Sequence, residues 1–143
     1  MEITDNVIPA SNSSIAKSLF LIGHIKTKQA YIDMSRQMLK NIEPEITSYG
    51  PGYSNWASLM LKNIYPFYEL IVTGNNAHEI HKQLTQNYKP NTIIIGAKKK
   101  SNLEILKNKF LQGTTMIYVC QEGACQQPTE KPEEAISQII YSQ

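Results

Sequence analysis

Two cysteines, Cys120 and Cys125, are the only thiols in the chain, and they flank the stretch "QEGA". A thioredoxin-type redox pair has two intervening residues and sets one thiol at a helix N-terminus, where its thiolate is favoured. Neither condition is met here. A structural zinc site needs four ligands, and no histidine or further cysteine lies nearby in sequence. A disulfide would close a small loop and runs against a reducing cytosol. The spacing therefore favours two reduced, metal-free thiols at a tight turn leaving a sheet, with Gly123 supplying a positive backbone angle. A disulfide or redox pair, and a metal, stay open as alternatives.

Other side chains with chemical potential read more plainly. His78 and His81 in "HEIH" stand at i and i+3, whereas a zincin helix needs i and i+4, so they read as a solvated first turn. His24 lies near a helix end, where a partly charged imidazole suits the dipole. "VTGNNAHE" has the strand–glycine–helix order that holds phosphates. It carries a single glycine and no acidic residue placed for a ribose, so it reads as a turn with an asparagine cap. Lys98, Lys99 and Lys100 read as a solvated loop after a strand, with an anion site as the alternative. In "IPASNSS", Ser11, Asn12 and Ser13 can cap a helix. They can also line a pocket, with Tyr53 and Trp56 as a wall for a sugar ring. Glu43 and Glu45 merely flank Pro44 at a helix end, so no carboxylate pair is placed for glycoside hydrolysis.

The elements that must position these residues fall into two parts. Before Pro66 the apolar period is helical. Ile15, Leu19 and Ile22 form a stripe with Ala16, Phe20 and Gly23 beside it, and Asn12 or Ser13 caps the helix. Tyr31, Met34, Met38 and Ile42 repeat the pattern in a second helix, linked around Thr27 as an antiparallel hairpin. A third helix follows Gly50, Pro51 and Gly52, with Ser54 as a cap. After Pro66, "YELIVTG", "PNTIIIGA" and "TTMIYVC" read as buried strands. The helix between the first two carries a capping-box signal, Asn76 with Glu79, and Ser101 with Glu104 gives another. Pro132 is placed to open a final helix. The expectation is an α/β fold: a helical segment over 1–66, then an extension over 67–143. That extension has a three-stranded, mainly parallel sheet (68–73, 92–96 and 115–119) flanked by helices, and the two parts form one compact unit.

With 143 residues, 41% of them apolar and 18% charged, the chain is an ordinary globular length and composition. A net charge of +2 is too small to imply a nucleic-acid partner. The N-terminal stretch has no positive n-region followed by an apolar h-region, and no apolar run approaches a membrane span. The expected location is the cytoplasm, with no membrane partner.

Four stretches occur in order: "IPASNSSIAKSLFLIG", "YELIVTG", "NYKPNTIIIGA" and "TTMIYVCQEGACQQPTEKPEEA". Together they resemble the C-terminal end of the long thioredoxin-domain-containing proteins of the YyaL type, to which the spermatogenesis-associated thioredoxin-like protein of animals is similar. The resemblance covers nearly the whole chain. It implies that the helices correspond to the last hairpins of an (α/α)6 barrel similar to those of sugar epimerases and six-hairpin glycosidases. The thioredoxin-like domain and most of the barrel cavity would lie outside this chain. It also implies that Ser11 to Ser13 fall on the family's polar barrel motif, and Cys120 and Cys125 on its C-terminal cysteine pair. Lys131, before Pro132, departs from the acidic or polar cap of such relatives.

The function expected is a non-catalytic C-terminal module without cofactor or metal. It would act through self-association or contact with the rest of a YyaL-like protein. The alternative is a contribution to a carbohydrate site or to thiol–disulfide chemistry. Ile15, Leu19, Ile22, Tyr31, Met34, Met38, Trp56 and Met60 are expected to leave an apolar face for a homodimer or for a separately encoded remainder of the barrel.

Overall fold

The expected helical hairpin is present as α1 (Ser11–Lys26) and α2 (Gln29–Ile46). The computed structural model describes residues 2–140. It divides into two compact units, Met1–Ile64 and Tyr65–Gln143, each taken by itself below.

In the first unit α1 buries Ser13, Ala16, Phe20 and Gly23, not the expected stripe, and Ile15 and Ile22 are exposed. The reason is close helix approach. A Cβ on Gly23 would lie 2.6 Å from Ile32 Cγ1, and the Ser35 hydroxyl donates to the Ala16 carbonyl at 2.7 Å. Small side chains at Ala16 and Gly23 admit the neighbouring helix, so the inward face is the Ala16, Phe20 and Gly23 side that was expected beside the stripe, extended to Ser13. Accordingly α2 buries Ile32, Ser35, Leu39 and Ile42, shifted from the expected face, of which only Ile42 is kept. Thr27 links the helices in the left-handed region at φ 52°. There Thr27 N–H donates to His24 O and Lys28 N–H to Gly23 O, the Schellman pattern that satisfies a helix C-terminus. α3 (Ser54–Ile64) is entered from a 3-10 turn, Gly50–Tyr53, rather than from a Ser54 cap.

The second unit contains β1 (Tyr68–Thr73), α4 (Ala77–Thr85), β2 (Thr92–Ala97), β3 (Met116–Gln121), β4 (Ala124–Cys125) and α5 (Pro132–Ser137). They form one sheet in the order β2-β1-β3-β4. β1 and β2 are parallel, as expected of a strand–helix–strand unit, but β3 runs antiparallel to β1. The sheet is therefore mixed and four-stranded, not three-stranded and mainly parallel. The segment after β2 explains the reversal. Its cap signal yields only a 3-10 turn, Glu104–Leu106, so no crossover helix carries the chain back to the start of β1. Instead Thr73 Oγ1 and Tyr118 Oη both donate to the Lys109 carbonyl, at 2.6 and 2.9 Å. The segment is thus tied at the C-terminal end of β1, and β3 enters there, with Met116 opposite Thr73.

Both faces of β1 are covered. Leu70 and Val72 pack with Ile117, Val119, Leu84 and Ala135 on one side. Ile71 packs with Cys120, Ile105 and Leu106 on the other. Pro132 occupies the first turn of α5 as expected, but the helix ends at Ser137. Residues 138–140 of the expected final helix are not helical, and 141–143 lie outside the described residues. Among the described residues no helix is long and apolar enough to cross a membrane.

Candidate functional site

The polar motif of the first unit is organised by a residue that composition and spacing do not single out. Asp5 is buried and accepts three hydrogen bonds. Its Oδ1 takes Ala10 N–H and the Ser13 hydroxyl, both at 2.9 Å, and its Oδ2 takes Asn55 N–H at 2.8 Å. One carboxylate therefore serves the opening turns of both α1 and α3. Asn55 Nδ2 donates to Ser13 Oγ at 2.9 Å, and Lys17 Nζ donates to Asn55 Oδ1 at 2.6 Å. The sequence assigned the α1 cap to Asn12 or Ser13. The cap position is Ala10, with no side-chain cap bond, and the carboxylate that closes the turn comes from upstream.

The candidate pocket residues do not converge. Ser13 is completely buried in this network, while Ser11 is exposed and Asn12 half-buried. Trp56 is buried and donates its Nε1–H to the Ile3 carbonyl at 2.8 Å. Tyr53 is buried and donates to Glu45 Oε2 at 2.7 Å. That bond, with burial and the Glu45 charge, raises the Tyr53 hydroxyl above its ordinary pKa. An open cavity of about 310 Å³ does lie beside the network, lined by Asp5, Asn6, Ser54, Asn55 and Ser58 among others. None of the five candidates lines it. Nearby, burial first and the Lys17 charge second hold the Lys62 ammonium below the usual lysine value.

In the second unit Cys120 and Cys125 form a disulfide, with Sγ–Sγ 2.05 Å, where the sequence favoured reduced thiols. The two residues are directly opposite in the β3–β4 register, as are Gln121 and Ala124. The turn between is two residues, Glu122 at φ 51° and Gly123 at φ 82°. Two consecutive positive angles mark the hairpin turn whose twist matches that of the strands. Gly123 thus has the positive angle expected of it, and Glu122 has one as well. Cys120 is buried beneath Ile105 and Leu106, while Cys125 is exposed. The buried Glu69 stands opposite Cys120 on β1.

The remaining candidates are solvated or structural. His81, with His78 and Lys98, lines a shallow cavity beside Gly96, and among the described residues no three metal-binding side chains cluster. Asn76 precedes α4 but makes no side-chain cap bond; its N–H donates to Thr115 Oγ1 at 3.1 Å. Lys131 precedes α5 and pairs with Glu134 at 2.8 Å. His24 packs on Phe20, ring centroids 4.6 Å apart. A second polar cavity, among Asn75, Asn76, Thr114, Thr115 and Glu130, contains none of the residues singled out for chemistry in the sequence except the Asn76 cap. No family model, no curated protein and no solved structure matches this chain.

Proposed function

We propose that this chain is a non-catalytic module of the YyaL type, working in the cytoplasm through contacts with a second copy of itself. The observation that carries this reading is the division of labour on the first unit. Ser13, Tyr53 and Trp56 are engaged in internal hydrogen bonds, while Ile15, Ile22, Tyr31 and Met34 remain exposed. Ile15 and Ile22 are two turns apart and project from one side of α1; Tyr31 and Met34 share a side of α2. Trp56, expected among them, is buried; Leu19, Met38 and Met60 are half-buried. A stable dimer would cover on the order of 1,200–2,000 Å² in total. Correspondence of the helices to the last hairpins of an (α/α)6 barrel, and contact with the remainder of such a barrel, belong to the same proposal. Light scattering at micromolar concentration tests it: the chain is expected as a dimer that Ile15→Glu with Met34→Glu converts to a folded monomer. A monomeric wild-type chain ends the self-association reading.

A second reading is favoured by a specific observation, the Cys120–Cys125 bond. It makes the second unit a participant in thiol–disulfide chemistry. A thioredoxin-type thiol would lie at the start of the helix after β1. Gly74, Asn75 and Asn76 occupy that place here, so any exchange belongs to the hairpin. A carbohydrate site built from Ser11, Asn12, Ser13, Tyr53 and Trp56 draws no support from their placement.

A further inference from the structure

We propose that the Cys120–Cys125 bond is an exchange site with a fixed direction of attack: an external thiolate takes Cys125 Sγ, and Cys120 is the sulfur that leaves. The inference rests on the thiol–disulfide reading above and names the reacting atom and the class of partner. Thiol–disulfide exchange depends on which sulfur an incoming thiolate can reach. Cys125 is on the exposed two-residue strand β4, next to the exposed Glu122–Gly123 turn. Cys120 is 2% exposed and packed with Ile71, Ile105 and Leu106. The attacking sulfur therefore reaches the bond from the Cys125 side.

The first step forms a bond between the incoming sulfur and Cys125 Sγ. The Cys120–Cys125 bond breaks, and its electron pair goes to Cys120 Sγ. That sulfur emerges among apolar side chains, where an unpaired negative charge is costly, and opposite the Glu69 side chain. It takes up the proton that the incoming thiol released. Buried and protonated, Cys120 is a poor nucleophile, because the thiolate is the reactive form. A monothiol partner consequently stays attached to Cys125 until a second thiol molecule displaces it. A dithiol partner completes the reaction: its second thiolate attacks its own sulfur in the mixed disulfide, and Cys125 leaves. The partner ends as a disulfide, two electrons have passed to this chain, and both cysteines are thiols. The structure thus assigns a dithiol as reductant, and a small monothiol as the ligand held at Cys125.

The test treats the folded chain with reduced glutathione, traps free thiols with N-ethylmaleimide, and maps the peptides by mass spectrometry. Glutathione is expected on Cys125 over Cys120 by at least about tenfold, with maleimide on Cys120 only after unfolding. Dithiothreitol in place of glutathione is expected to give two free thiols and no adduct. Cys120→Ser should leave a thiol that reacts with glutathione disulfide in the folded chain; Cys125→Ser should leave one that does not. Adducts mainly on Cys120 would overturn the direction of attack while leaving exchange intact. A bond that excess dithiothreitol cannot reduce while circular dichroism shows the chain folded would overturn both.

Discussion

Asp5 and Asn55 stand fifty residues apart in sequence and meet in one hydrogen bond, Asn55 N–H to Asp5 Oδ2 at 2.8 Å. The same carboxylate holds Ala10 N–H and the Ser13 hydroxyl. The stretch before α1 is thereby fastened to α3 as well as to α1. Removing the acceptor leaves the Ala10 and Asn55 N–H groups unmatched, while the Ser13 hydroxyl keeps the Ala10 carbonyl at 2.9 Å. The cost is ~1–3 kcal/mol for each group left without water or partner. Asp5→Ala is therefore expected to lower unfolding stability by about 2–4 kcal/mol, read from denaturant midpoints at unchanged slope. An effect below about 0.5 kcal/mol, the range of ordinary surface substitutions, would remove Asp5 from this role.

The α1–α2 turn offers two changes of opposite sign. Thr27 is a β-branched residue held at φ 52°, and the left-handed region costs a non-glycine residue roughly 1–2 kcal/mol. Thr27→Gly is expected to stabilise by about 0.5–1 kcal/mol, once the looser unfolded chain is counted. Gly23→Ala introduces a methyl 2.6 Å from Ile32 Cγ1 and 3.1 Å from Ile32 N. The gain in helix propensity is about 1 kcal/mol, and overpacking costs about 1–3 kcal/mol. The net expectation is destabilisation, seen as a lowered melting temperature. A Gly23→Ala chain that melts higher would show that the helices are not in close contact.

Gly74 follows β1 at φ 126°, and a Cβ there would lie 2.2 Å from the Thr114 carbonyl. Backbone, not a movable side chain, is in the way. Gly74→Ala should lose more than about 2 kcal/mol through strain and displacement of the segment before β3. Proteolysis of the folded chain near Thr114 should accelerate accordingly.

At the start of α5 the Lys131 and Thr129 side chains bond Glu134 and hold its carboxyl below the usual carboxylate range. Its folded value lies below its unfolded one. The contribution is therefore present above the unfolded pKa and lost as pH falls through the folded one. Lys131 is raised by the same partner, so its share is present below the ordinary lysine value and lost as pH rises through the raised one. Glu134→Gln should unfold at lower denaturant than wild type at neutral pH, and the gap should close as the pH falls through the lowered folded value. A gap that persists in acid would place the effect elsewhere.

Lys62 should titrate below the ordinary lysine value, because burial and then Lys17 disfavour its charge. Replacing Lys17 with Met removes the second cause only. The Lys62 midpoint, followed by NMR of its side chain, is expected to rise without reaching the unperturbed value. A midpoint that does not move would separate the two amines.

What could be read in advance divides along physical lines. The change from helical to strand period near Pro66, and the parallel pairing of β1 and β2, are carried by apolar spacing and a helical connector. The inward face of α1 is not, because hydrophobicity ranks Ile15 and Ile22 above Ser13 and Gly23, while close packing selects the small residues. The direction of β3 depends on hydrogen bonds to Lys109, which strand periodicity does not encode. The disulfide did have a signal. A two-residue turn at Glu122–Gly123 puts the residues on either side of Gln121 and Ala124 opposite each other, which is where Cys120 and Cys125 stand. Asp5 had no such signal: its bonds to Ala10 and Ser13 are local but fit no cap spacing, and its bond to Asn55 spans fifty residues.

The sheet order leaves β2 at an outer edge, and its sequence there is Thr92, Ile93, Ile94, Ile95, Gly96 and Ala97. Such a run, uncharged and rich in β-branched residues, is a template onto which another chain's strand can grow. Pro90 stands just before it, and Lys98, Lys99 and Lys100 follow at once. The basic run, silent as chemistry, then has a use as a guard: three like charges at the end of every β2 make it costly for copies of this strand to stack in register.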